Sequence, residues 1–172
     1  MEFVILVDEQ DNAIGTMEKQ QAHVEGSLHR AFSIFIFNSE KKILLQKRAS
    51  TKYHCAGLWT NACCSHPREN ENILDAAKRR LQEEMGMQCD LKHIFSFVYK
   101  AKFENGLTEH EFDHVFFGQS DSVPLINNQE VDEFKYIGIE ELQLEINHSP
   151  QNFTPWFLIA LDRVNQFNAL QS

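Results

Sequence analysis

The stretch from Thr60 to Met87, TNACCSHPRENENILDAAKRRLQEEMGM, constrains the fold more than any other part of the chain. It begins extended at Cys63-Cys64-Ser65-His66, turns at Pro67, and becomes a helix that starts near Glu71. Leu74, Ala77, Leu81 and Met85 recur at three- and four-residue steps, so this helix has one apolar stripe that needs a surface to cover. Gly86 is placed to end it with a left-handed residue. A helix this amphipathic, with β signals on both sides, predicts an α/β (α+β) mixed sheet flanked by helices.

The β signals are AFSIFIF and ILLQKR, two buried strands separated by Asn38 to Lys41. Phe32 to Phe37 is almost entirely apolar, which predicts cover on both sheet faces. Residues 2–7 and roughly 13–18 read as an N-terminal hairpin joined by the acidic turn Asp8 to Asn12. Leu91 to Phe103 and Leu107 to Gly118 form a second, longer hairpin, and Phe134 to Ile137 a further strand. Glu18 to Leu28 is a short helix or loop, Ala49 to Leu58 a loop pivoting at Gly57, and 140–146 and 155–167 are helices. At 172 residues, with no linker or repeat, the chain reads as one domain. A net charge of −9 argues against general nucleic-acid binding, although Lys47, Arg48 and Lys52 could meet a small anion. Four cysteines without a secretion signal or apolar span read as reduced thiols in the cytoplasm, away from a membrane.

Counted back from Gly86, the central stretch resembles the Nudix box. Ser65, Glu71, Arg79, Arg80, Leu81, Glu83, Glu84, Gly86 and Met87 fall on its positions, with Ser65 in place of the usual glycine and Arg80 in place of a glutamate. In Nudix hydrolases those glutamates hold cations for pyrophosphate attack, so an arginine there removes a ligand and adds a phosphate clamp. The His23/His29 pair, TNACCSHP, TEHEFDHVF and FTPWF, in that order, resemble type I isopentenyl diphosphate isomerases from about Glu2 to Asn165. That resemblance implies metal-dependent interconversion of isopentenyl and dimethylallyl diphosphate. Its rivals are a Nudix hydrolase of nucleoside diphosphate derivatives and a non-catalytic Nudix-like binding module.

The resemblance implies roles residue by residue. Cys64 is the catalytic thiol; adjacent cysteines on an extended segment face opposite ways, so Cys63 faces elsewhere. Glu109 and Glu111 share one strand face, where they are either a solvated acidic pair or carboxylates neutralised by a cation. The implied ligands are His23, His29, His66, Glu109 and Glu111, a set that suits a transition-type ion (Mn, Zn or Fe, with Mg possible). His23 and His29 are six apart and miss a common helical face, so at least one is expected in loop. A three-residue loop at Glu104-Asn105-Gly106 pairs Tyr99 with Glu111, whereas a two-residue loop would not. Trp156 offers a π-face to a carbocation, against packing at a helix start; Trp59 reads as a wall. Lys19, Arg48, Lys52 and Arg80 are assigned to the diphosphate, and Glu84 to a Mg bound with it. Lys47 and Arg79 read as solvated charge, and His54, His93, His114 and His148 as satisfied surface residues. Asn147 to Thr154 and the N-terminal arm are the candidate lids, and the expected state is a monomer or weak dimer.

Overall fold

A computed structural model describes residues 1–171. The strands are β1 Phe3–Val7, β2 Ala13–Glu18, β3 His29–Phe37, β4 Ile43–Arg48, β5 Trp59–Thr60, β6 Cys63–Ser65, β7 Leu91–Lys102, β8 Thr108–Gln119 and β9 Val131–Ile137. The helices are α1 Lys19–Glu25, α2 Ile73–Met85, α3 Ile139–His148 and α4 Pro155–Ala169, with a 3-10 turn over Pro150–Asn152. Helix α2 starts two residues later than expected because the Asn72 side chain accepts from the Leu74 and Asp75 amides and caps it there. No helix among the described residues is long and apolar enough to cross a membrane.

Strand β3 is the spine. It pairs parallel with β8 along its whole length, antiparallel with β6 over Phe32–Ile34, and touches β1 and β4 at its two ends. Strands β3 and β4 share only the Phe37–Ile43 pair, and β4 runs instead against β9. Side chains along β3 divide by parity, as its apolar run requires. Phe32, Ile34 and Ile36 join Ala76, Ala77, Leu81 and Met85 of α2 in one core. Phe35 and Phe37 join Leu142 of α3 and Phe157, Ala160, Leu161 and Val164 of α4 in the other. Leu74 is only half-buried, and Ala76 takes the buried place beside Ala77.

The α4-side face of β3 and β8 changes character halfway along. Its odd-numbered positions are His29, Ala31, Ser33, Phe35 and Phe37 on β3, and Glu109, Glu111, Asp113, Val115 and Phe117 on β8. Both strands are thus polar where they start and apolar where they end, and their parallel register aligns the polar halves. Those halves form the floor of a site.

Candidate active site

A cavity of about 250 Å³, at the small end for ligand pockets, opens over that polar half. Every candidate residue except His23 and His29 lines it, and those two lie fully buried behind it. Neither histidine lies in loop, although their spacing suggested that one would: His23 comes from α1 and His29 from the first position of β3, so a helix and a strand bring them together. Glu2 and Phe3 of the N-terminal arm also line the cavity, whereas Phe153 and Thr154 of the other candidate lid pack beside Trp59.

His23, His29, His66 and Glu111 each turn one donor atom into a common space, all within 4.8 Å of one another. Glu111 accepts from His66 Nε2 at 3.1 Å, with His29 Nε2 at 3.5 Å. Burial drives the His23 imidazole down to about 3, helped by the charges of His66 and His29. Burial also lowers His66. Against its burial, His29 is raised by its bond to Glu111, and Glu111 is held well below the usual carboxylate range by His29 and His66. Glu111 thus favours the proton on His29, while burial disfavours it on His23 and His66. Buried His23 Nε2 and His66 Nδ1 have no partner, and His29 Nε2 makes no hydrogen bond, with only the Glu111 carboxylate near it at 3.5 Å. Orphaned imidazole nitrogens around a carboxylate fit a divalent cation.

Glu109 stands just outside this group. Its Oε1 accepts from His54 Nε2 and its Oε2 from the Tyr99 hydroxyl at 2.9 Å. Tyr99 also reaches Glu111 Oε2 at 2.8 Å, and burial with the two carboxylates keeps the phenol protonated. The Tyr99–Glu111 register follows from a three-residue loop, closed by the Phe103 amide donating to Leu107 O at 2.9 Å. His54 is not the surface histidine expected. It is buried against Glu109 because the loop folds inward, and an isolated histidine in a polar loop carries no periodic signal.

Cys64 faces the cavity, while Cys63 is fully buried in the α2-side core. The Cys64 thiol donates to Asn61 Oδ1 at 3.1 Å and its sulfur accepts from Trp156 Nε1 at 2.9 Å. Asn61 is itself fixed by its amide donating to Ile34 O and Cys63 O. Burial, then the Asp113 charge, push the thiol up to about 12, so it holds its proton. Asp113 was legible but overlooked: it continues the Glu109, Glu111 alternation onto the same face. It is fully buried and accepts from Ser33 Oγ at 2.7 Å, and burial raises its carboxyl well above the ordinary range.

The cations occupy the same cavity, and all but Arg48 are held by glutamate. Lys19 pairs with Glu2 at 3.0 Å, Lys52 with Glu130, and Arg80 with Glu83, Glu84 and Glu130. Glu84 is buried, its second oxygen taken by Gln46 Nε2 at 3.0 Å. Arg48 lies over the Trp156 ring at 5.6 Å, and buried Arg48 Nε and Arg80 Nε have no partner. Donors left this way await an acceptor. Arg79 is not simply solvated: its guanidinium forks onto Glu71 at 2.7 and 2.9 Å. Lys47 pairs with Glu133, and Lys135 covers the Trp59 ring at 4.6 Å, so Trp59 is no wall of the cavity. His93 and His114 bond each other at 3.3 Å, and His114 is satisfied by Asp11 as expected, though half-buried rather than at the surface.

The fold and this site define the class. The NUDIX domain family model matches residues 27–157, so the chain belongs to that family. Solved structures agree at the level of fold: the Deinococcus radiodurans protein DR0079 superposes with a TM-score of 0.71 at 20% identity, over 86% of this chain and 90% of that one. A MutT protein from Methanosarcina mazei gives 0.67 at 17% identity, over 82% and 95%. Within that superfamily the sequence is specific. It is 54% identical over 161 residues, 94% of this chain and 85% of the relative, to isopentenyl-diphosphate Delta-isomerase 2 of Aromatoleum aromaticum. It is 49% identical to the isopentenyl-diphosphate Delta-isomerase of Pectobacterium atrosepticum, over 95% and 92% of the two chains. The chain belongs to the isopentenyl-diphosphate Delta-isomerase family.

Proposed function

We propose that the protein interconverts isopentenyl and dimethylallyl diphosphate, adding one proton to a five-carbon chain and removing another. The observation that carries this is one small cavity holding a protonated thiol, a carboxylate–phenol pair and an indole together with guanidinium and ammonium donors. A proton added to the terminal alkene carbon takes up the π pair and leaves a tertiary cation. Loss of a proton from the carbon beside the oxygen-bearing one leaves that C–H bond's pair as the new double bond and quenches the cation, so the overall composition is unchanged.

Cys64 and Glu111, on the strands flanking β3, are assigned to these two protons, with Tyr99 as relay. In the ligand-free site Cys64 carries its proton and Glu111 does not. Trp156 supplies the π-face for the cation. Lys19, Arg48, Lys52 and Arg80 take the diphosphate; Arg80 moving onto phosphate would free Glu84 for the accompanying Mg. His23, His29, His66 and Glu111, with Glu109 alongside, would hold a Mn, Zn or Fe ion, or Mg, which would neutralise the carboxylate charge and rigidify the site. The four free thiols fit a reducing compartment, and we assign the protein to the cytoplasm as a monomer or weak dimer.

Incubation with isopentenyl diphosphate in heavy water, with Mg and a transition metal, tests the reading by NMR. Deuterium in the recovered allylic and homoallylic diphosphates is the expected result. Phosphate release from nucleoside diphosphate derivatives without isotope uptake would establish a hydrolase instead. Binding without turnover would leave a non-catalytic module.

A further inference from the structure

Loop 49–58, between β4 and β5, brings two consecutive side chains to the site, His54 lining the cavity and Tyr53 backing His23. Tyr53 Oη lies 2.7 Å from His23 Nδ1, and His54 Nε2 donates to Glu109 Oε1. The loop is held in this shape: Asn105 Nδ2 donates to Tyr53 O at 3.2 Å, and Cys55, just after His54, has φ of 50°. A side-chain-bearing residue at positive φ persists only where its surroundings over-determine it.

His23 offers one nitrogen to the four-donor group; its Nδ1 is engaged by Tyr53, and its Nε2 is buried without a partner and is the atom free to serve. It can offer a lone pair only if Nδ1 carries the proton, and a buried N–H needs an acceptor. Tyr53 Oη is the atom placed to accept it. His29 is built alike, with Nδ1 against Ser27 O at 2.8 Å, but there the acceptor is backbone. His54 addresses a different shortage. The Tyr99 hydroxyl stands within bonding distance of both Glu109 and Glu111, yet it has one proton. An N–H from His54 on Glu109 leaves that proton for Glu111.

We infer that Tyr53 and His54 are positioning residues, Tyr53 turning His23 Nε2 toward the cation and His54 holding Glu109 so that Tyr99 serves Glu111. The inference rests on the assignment of His23 and Glu111 given above. Zinc affinity, measured by competition with a chromogenic chelator, tests Tyr53. Tyr53→Phe removes one hydroxyl from a ring that is 45% exposed, so the fold remains. It should weaken zinc binding by about 10–100-fold, and His23→Ala at least as much. Loss in His23→Ala with none in Tyr53→Phe overturns the role of Tyr53 and leaves the four-donor site standing. No loss in either overturns the site, and the inference with it. For His54, the comparison is His54→Leu against His54→Gln, which keeps an N–H donor. His54→Leu should lower kcat about tenfold or more with KM little changed, and His54→Gln should recover most of it. An equal fall in both variants, or none in His54→Leu, overturns the role of His54.

Discussion

Cys63 and Cys64 are the same residue type, one peptide bond apart, and the fold gives them opposite tasks. The first fills the α2-side core and the second faces the cavity. Cys64→Ala should lower isomerase turnover by about 10²–10⁴-fold, the usual worth of one acid or base. Cys63→Ala should keep turnover and lose stability only, by on the order of 1 kcal/mol for a small buried deletion. Full turnover in Cys64→Ala, read by the heavy-water assay, would remove the thiol from the mechanism. This division was legible because alternation along an extended segment needs no tertiary knowledge. His54 was not, since nothing local marks it and only the fold of loop 49–58 buries it.

Among the elements, α2 was read most completely, from its apolar stripe to its end. Gly86 has φ of 62°, and a Cβ there would stand 2.6 Å from Leu125 O. The approach is close because the segment after β8 runs along the helix end, where the Leu125 amide donates to Met85 O at 2.8 Å. Gly86→Ala therefore meets both an unfavourable backbone and a fixed carbonyl, and should cost about 1–3 kcal/mol. In a protein of this size that lowers Tm by several degrees, at about 2–4 °C per kcal/mol; an unchanged Tm would mean that the 125–127 segment is free to move aside. The register of β7 on β8 was also legible, because loop length fixes it. Strands β5 and β6 were missed, being two and three residues long and defined by their partners rather than by their own pattern.

At the scale of the molecule, the site exists because β3 and β8, about eighty positions apart in sequence, lie parallel with their polar halves aligned. No spacing in the chain encodes that pairing, so the ligand set came from resemblance while its geometry came only from the fold. Gathering three imidazoles in a buried space has a thermodynamic signature. In the metal-free protein burial pushes the His23 imidazole down to about 3, whereas in the unfolded chain a histidine titrates near 6.5. Between those limits the unfolded chain binds a proton that the folded one refuses, so the His23 contribution to stability rises with pH there and is lost on acidification. The slope approaches about 1.4 kcal/mol per pH unit for one group. His29 has the opposite sign, but its raised value places its window above 6.5, clear of this range. Asp113, whose carboxyl burial raises well above its ordinary value, opposes His23 within the range, so the net curve does not isolate the histidine. The difference between wild type and His23→Gln does. Urea unfolding of both metal-free proteins between pH 4 and 6.5 should show the wild type losing stability to acid more steeply than the variant. Parallel curves would mean that His23 is protonated or solvated in the folded state, and the imidazole nitrogen assigned to the cation would then not be the dry, unpaired atom the structure places there.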